Sequence, residues 1–245
     1  MIIDESLWRK KVKILALDSS ALVASVALIE DDKLIAEYTT QYKKTHSQTL
    51  LPMLDEIKKM VELDLNTIDT IAISAGPGSF TGLRIGAATV KGMANALDIP
   101  VTPVSTLKGM AYQIYDTDAY ICPIMDARRS QVYTCIYKWD ENGKLINLIE
   151  ECAISIEEII SIANEMSKKV IFLGDGVPIF KDMIVDKVGE NARFAPAFAS
   201  RQRAAVIAVL AGELYQDGKF VSADEFAPVY LRMSQAERER LSNDK

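Results

Sequence analysis

Histidine is almost absent: His46 is the only one among 245 residues. A site needing two imidazoles is therefore excluded, which removes HExxH zinc centres and His-rich metal clusters. Cysteine is scarce too. Cys122, Cys135 and Cys152 are odd in number and contain no CxxC pair, so they read as reduced, mostly buried thiols of a cytosolic protein. Long apolar runs are missing. The longest, residues 21–29, spans nine residues and contains Ser25, whereas a membrane-spanning helix needs about 20. Excess positive charge is missing as well. The 28 basic and 34 acidic side chains give −6, a field with no general pull toward nucleic-acid phosphate. Any RNA contact then needs a local basic patch or a partner that supplies one. The first residues, MIIDESLWRKK, are acidic before they are basic and lack a long apolar stretch, so a secretory signal is not expected. A hydrophobic share of 49% with 25% charged residues argues against disorder of the whole chain. The length suits one large domain or two small ones.

What is present is a repeated order of elements. Residues 13–18 (KILALD) are short and apolar and end at an Asp, as a buried strand does. Residues 22–30 and 33–40 read as further strands around an Asp31-Asp32 turn. A helix over 46–63 follows, capped by Thr45 or Ser47, with Leu50, Leu54, Ile57 and Val61 at helical spacing. Leu51, Met53 and Met60 widen its apolar face. That width fits a well-packed core helix or a face that meets another protein. Pro52 fits only in the first turn. A strand at 70–75, a helix at 81–97 and a strand at 99–104 complete a β-β-β-α-β-α-β unit. After a helix at 105–115 the pattern restarts. Strands are expected at 120–126, 131–139 and 145–150, with a hairpin turn at 141–143. A helix at 155–166, a strand at 170–173 and helices at 178–188 and 201–215 follow. Element order alone carries this repeat. It divides the chain into 1–104, 105–233 and a charged tail, 234–245, expected to fray like residues 1–11.

The loop Gly76-Pro77-Gly78-Ser79-Phe80-Thr81-Gly82 sits between a strand and a helix, where backbone N–H groups and the helix dipole can hold an anion. It is neither a Walker A loop, since no GK[ST] follows, nor a dinucleotide fingerprint, since Thr81 stands where GxGxxG needs glycine. Phosphate contact and tight packing both account for its glycines. Leu83, Ala87, Val90, Ala94 and Leu97 form one stripe of the helix that follows. Gly82, Gly86 and Gly92 each cost about 1 kcal/mol there relative to alanine, so a close neighbour is expected, on this chain or another. Arg84 lies badly for the dipole and is either solvated or paired with a phosphate or carboxylate.

Together these residues, AGPGSFTGLRIGAATVKGMANAL, resemble the TsaB (YeaZ) family, partner proteins in threonylcarbamoyl-adenosine modification of tRNA. LALDSS (15–20), THSQTLLPML (45–54), VSTL (104–107), MDARRSQVY (125–133), GDG (174–176) and PVYLR (228–232) extend the resemblance over nearly the whole chain. It implies the α/β, two-lobed actin/Hsp70-like ATPase (ASKHA) fold with a reduced second lobe, in agreement with the repeat. The catalytic relative carries an H-x-E-G-H metal motif at the stretch that here reads Val104 to Met110. Its ligand positions fall on Thr106 and Met110, poor ligands for such a metal. The actin-like phosphate loop has Asp-x-Gly-Ser/Thr, whereas Asp18-Ser19-Ser20-Ala21 lacks the glycine.

The resemblance thus implies a non-catalytic scaffold in the cytoplasm. It would activate the metal-dependent TsaD-type threonylcarbamoyl transferase, together with the small P-loop ATPase TsaE, and meet tRNA only through that complex. Leu50, Met53, Leu54, Ile57, Gly82, Gly86, Val90 and Met93 are the expected partner or homodimer interface. No metal and no independent cofactor are expected. Gly76, Gly78, Ser79, Thr81 and Arg84 are the candidates for touching ATP or ADP at the partner interface. A stand-alone ATPase or kinase-like enzyme using Asp18 and Asp126, which end equivalent strands, is the alternative. A turn cap is the simpler reading of Asp18, and Arg128 and Arg129 fit either an anion contact or solvated hairpin charges. A peptidase is not supported: His46 and Ser47 point apart at a helix start, and no orienting acid is evident.

Overall fold

The computed structural model describes residues 11–232, and expectations placed on the two ends lie outside these described residues. Lys13–Asp18 (β1) pairs antiparallel with Ala24–Glu30 (β2), which pairs antiparallel with Lys33–Thr40 (β3). Asp31, at φ 53°, turns the chain between the last two. His46–Met60 (α1) starts at Thr45, whose N–H donates to the Gln48 side chain at 3.4 Å. Pro52 lies inside this helix, beyond its first turn. It is tolerated because Gln48, whose carbonyl loses the helical partner, and Pro52 both lie on the exposed side. Thr70–Gly76 (β4) joins β1 in parallel, and Val101–Ser105 (β5) joins β4 in parallel after Phe80–Leu97 (α2). The sheet order is β3-β2-β1-β4-β5.

Side chains alternate across this sheet with the period of a strand. Leu15, Leu17, Val26, Leu28, Ile71 and Ile73 pack under α1 and α2. The opposite face carries the smaller Ala16, Ala27 and Ala72. Those alanines let a helix lie close, and Ala204–Gln216 fills that role. It comes from the C-terminal side of the boundary expected at residue 104, yet its Ala204, Ile207, Ala208 and Ala211 pack on the first sheet. Further on, Val221 bridges Val101 at the β5 edge.

Thr106–Tyr112 (α3) leads into the second unit. Its strands are Tyr120–Asp126 (β6), Gln131–Thr134 (β7), Tyr137–Trp139 (β8), Leu145–Asn147 (β9), Cys152–Ser155 (β10), Val170–Leu173 (β11) and Ala192–Phe194 (β12). Ile156–Asn164 (α4) and Val177–Val188 (α5) complete it, and Ala204–Gln216 is α6. The single strand expected over 131–139 is broken at Cys135-Ile136. The partner β6 carries Pro123 opposite this stretch and cannot donate there. β10 and β12 were not foreseen. The central order, β10-β7-β6-β11-β12, matches β3-β2-β1-β4-β5 strand for strand. β6 pairs antiparallel with β7 and parallel with β11, as β1 does with β2 and β4. The repeat expected from element order is therefore a repeat of topology. Among the described residues no helix is long and apolar enough to cross a membrane.

Candidate functional site

β1 ends at Asp18, which is 1% exposed. The next two residues turn back onto α2. Ser20 donates its N–H and its hydroxyl to Asp18 Oδ1 at 2.9 and 2.7 Å. Ser19 Oγ donates to the Gly82 carbonyl at 2.9 Å, and the Ser79 N–H donates to the Ser20 carbonyl at 2.6 Å. Burial pushes the Asp18 carboxyl above its ordinary value, partly offset by the Ser20 and Ser74 hydrogen bonds and by His46. Two of the three glycines of α2 are explained here. A Cβ on Gly82 would meet the Ser19 carbonyl oxygen at 2.1 Å, and one on Gly86 would meet Ser19 Oγ at 2.2 Å. Gly78 faces the Ser20 carbonyl in the same way, at 2.2 Å. The close neighbour is thus this chain's own Ser19-Ser20 turn.

Between the two units lies a cleft of 680 Å³. The first unit contributes Ser20, Lys44, His46, Ser79 and Thr81, and the second contributes Asp126, Arg128, Tyr133 and Asp175. His46 Nε2 lies 2.7 Å from the Ala21 carbonyl, tying the start of α1 to the loop after β1. Its Nδ1 is buried without a partner among the described residues. Asp126 ends β6 as Asp18 ends β1, but it reaches the cleft. Its carboxylate accepts from the Arg128 N–H at 2.8 Å and pairs with the Arg128 guanidinium at 3.1 Å. Burial raises the Asp175 carboxyl, opposed by the Asp126 N–H and by Arg201. The two strand-to-helix loops also correspond. Gly76 has φ 122° and Gly174 φ 112°, and each passes a backbone carbonyl that a Cβ would strike, Val229 at 2.3 Å and Ile124 at 2.2 Å.

A segment outside the expected site residues, Val229 to Arg232, closes one side of the cleft. The Val229 N–H donates to the Ala75 carbonyl at 2.7 Å. Tyr230 stacks on Phe80 with ring centroids 4.5 Å apart, and the Arg84 guanidinium lies 4.0 Å from the Phe80 centroid. Arg232 donates to the Ala127 carbonyl of the second unit. This strap therefore ties the two units together. PVYLR marked it in the sequence, but only the fold brings it beside Gly76.

The expected site residues divide. Gly78, Ser79 and Thr81 line the cleft, and Ser79 caps α2 by accepting the Gly82 N–H. Gly76 lies under Val229, and Arg84 is exposed but stacked on Phe80. The expected interface needs correction. Leu50, Met53, Leu54, Ile57 and Val90 are core side chains, Gly82 and Gly86 are buried under the Ser19-Ser20 turn, and Met93 is half-buried against the same core. α2 instead turns outward a row of small residues one turn apart, Ala88, Gly92 and Ala96. A Cβ on Gly92 would meet nothing within 4 Å. At the positions of the relative's metal motif, Thr106 Oγ1 lies 2.7 Å from Ser74 Oγ, and Met110 Sδ accepts from Gln202 at 3.4 Å. Both side chains are buried. Ser47 Oγ lies 3.0 Å from Thr45 Oγ1 rather than on the His46 ring.

Two units of one strand order, joined around a cleft, define a two-lobed protein of the actin/Hsp70-like ATPase fold. Residues 33–240 match the family described as TsaD, tRNA N6-adenosine threonylcarbamoyltransferase. The tRNA threonylcarbamoyladenosine biosynthesis protein TsaB of Bacillus subtilis (strain 168) is 33% identical over 95% of this chain and 99% of its own length. The protein of that name from Escherichia coli (strain K12) is 30% identical over 90% and 95%. A crystal structure from Pseudomonas aeruginosa, described as an uncharacterized protein with similarity to peptidase YEAZ, superposes with a TM-score of 0.74. It is 27% identical, over 90% of this chain and all of that one. The chain belongs to the TsaB (YeaZ) family.

Proposed function

We propose that this chain is the non-catalytic partner in synthesis of threonylcarbamoyladenosine in tRNA, docking on a TsaD-type transferase and holding it in its active shape. The TsaB relatives carry that biosynthesis in their names. The observation that carries the non-catalytic half is the Ser19-Ser20 turn seated on the first turn of α2. A phosphate loop leaves backbone N–H groups and space for its ligand. Here the Ser79 N–H is taken by the Ser20 carbonyl, and Asp18 is buried under Ser20. The first unit thus spends half of an actin-like phosphate site on its own packing.

The docking face is the outer side of α1 and α2. Ala88, Gly92 and Ala96 permit another helix to approach α2 closely, and Leu51 and Met60 stand exposed on α1. The same face serves a homodimer when the transferase is absent, so dimer and complex compete. TsaE joins the complex, and tRNA is held through it. Nucleotide at that junction meets the Ser79-Thr81 end of α2.

The test is product formation from tRNA, ATP, threonine and bicarbonate with the other pathway proteins, with and without this chain. Product that depends on the chain, with no ATP turnover by the chain alone, is the expected result. Equal product without it refutes the proposal. ATP turnover by the isolated chain would favour an enzyme built on Asp126 and Asp175 instead.

A further inference from the structure

The chain carries a net charge of −6, yet the mouth of the cleft between the units is basic. Lys44, Arg128 and Arg232 line it. Lys43 and Arg129 stand exposed next to them in the chain, and Arg84 stands exposed over the Phe80 ring. The carboxylates that line the cleft among the described residues are Asp126 and Asp175, and both are more covered. The Arg128 side chain is 86% exposed against 13% for its partner Asp126, and Asp175 is half-buried. Positive charge is thus outermost. Arg128, Arg129 and Ser130 take left-handed φ of 66°, 56° and 55°, backbone strain of the kind that collects at binding sites. An aromatic ring stands among these charges. Tyr230 is 40% exposed, and stacking on Phe80 at 4.5 Å fixes its ring. Both rings line the cleft.

We propose that this rim is a contact for a single-stranded stretch of RNA, with phosphates at Lys44, Arg128 and Arg129 and a base on the exposed side of the Tyr230 ring. The inference rests on the reading that the chain joins a tRNA-modifying transferase, and it makes the chain itself part of that complex's hold on tRNA. Exposed cations along a groove, with a ring on which a base can stack, are what unpaired nucleic acid binds. In a duplex the bases stay stacked on one another and offer no free face. A small anion deep in the cleft would need cations buried with it. Here they are spread over the mouth, where a run of phosphates meets several at once. The acidic balance of the whole chain gives no general pull on RNA, so the attraction is local to this rim.

The experiment measures tRNA binding by the complex of the full chain with the transferase, using filter retention over a range of salt concentrations. Co-elution of the two proteins in gel filtration is read on the same samples. Lys44→Glu and Arg129→Glu, both at exposed positions, should each weaken tRNA binding several-fold with co-elution unchanged. Each should also lower the slope of log affinity against log salt by about 0.7 for the lost phosphate contact. Tyr230→Leu should weaken binding about fivefold or more and leave that slope as in the parent. Lys187→Glu, exposed at the end of α5 remote from the cleft, carries the same change of charge and should leave the affinity as it is. Parent-like affinity and slope in both cleft charge variants, with the complex intact, overturn the inference and leave the proposed function standing. So does a loss that Lys187→Glu matches, because net charge and not a contact would then be responsible. Weakened ATP binding at undiminished tRNA affinity overturns it too, assigning the rim to a free nucleotide. A parent chain that does not co-elute with the transferase refutes the proposed function and takes this inference with it.

Discussion

Three single-methyl substitutions along α2 probe the packing of the Ser19-Ser20 turn. Gly82→Ala places a Cβ 2.1 Å from the Ser19 carbonyl oxygen. Carbon needs well over 3 Å there, so helix and turn must separate by about 1 Å. Both partners of this contact are tied: Ser20 caps Asp18, and the Ser79 N–H holds Ser20. Relief by a small rotation is therefore blocked, and the cost falls at the top of the overpacking range, about 3 kcal/mol. In a protein of this size that lowers Tm by roughly 6–12 °C. Gly86→Ala meets Ser19 Oγ at 2.2 Å, a hydroxyl that can swing away at the loss of its bond to the Gly82 carbonyl. Its cost is about 1 kcal/mol. Gly92→Ala meets nothing within 4 Å and gains helix propensity, about 0.8–1 kcal/mol, so Tm rises roughly 2–4 °C. Thermal unfolding followed by circular dichroism reads all three against the parent. The order 92 above parent above 86 above 82 is expected. If Gly82→Ala is as stable as Gly92→Ala, the turn does not sit on α2, and the argument for a self-filled phosphate loop fails with it.

Gly92→Leu should keep the fold, with stability within about 1 kcal/mol of the parent, yet reduce stimulation of the transferase at least about tenfold; undiminished stimulation removes α2 as the docking face. Asp18 has a folded-state pKa raised by burial. Its linkage therefore favours folding below the ordinary Asp value and is lost as pH rises through the folded value. Asp18→Asn should thus gain stability relative to the parent as pH climbs from about 4 toward neutrality, and parallel pH profiles in urea melts would contradict this. Burial pushes the Cys122 and Cys135 thiols up to about 12 and raises Cys152 as well. An aromatic disulfide reagent at pH near 8 should leave Cys122 and Cys135 unmodified in the native chain and reach all three cysteines in denaturant. Tyr230→Ala removes the ring stacked on Phe80, a pair worth about 0.5–1.5 kcal/mol, and should speed limited proteolysis near residues 226–232; an unchanged cleavage rate would mean the strap is held elsewhere.

The duplicated order of elements was legible because each unit repeats short apolar runs ending at an acid or a glycine, a pattern that survives without sequence identity. The apolar stripe of α2 was legible too, from Leu83, Ala87, Val90 and Ala94, but not that it faces inward: Val90, expected at a partner interface, is a core side chain. What the sequence could not tell is which face of the glycine pattern another chain would use. Gly82, Gly86 and Gly92 look alike along a helix, and all three invite a close neighbour. The difference lies 63 residues away in the chain, where Ser19 and Ser20 fold back onto two of them and leave the third open. The short strands β10 and β12, of four and three residues, carry too little periodicity to stand out from loop. Pro123 sat in plain view, yet its effect falls on the partner strand, which sequence patterns treat separately. The same non-local logic separates the two units. After β1 the turn is drawn down onto α2 by glycines at three positions. After β6 three successive residues, Arg128, Arg129 and Ser130, take φ between 55° and 66° and stand exposed. Left-handed backbone costs a non-glycine residue about 1–2 kcal/mol, so one unit has closed its loop by packing while the other keeps a strained one open at the cleft. That asymmetry leaves Asp126 and Arg128 of the second unit among the charged side chains lining the cleft, while the turn after β1 in the first unit is spent on packing against α2.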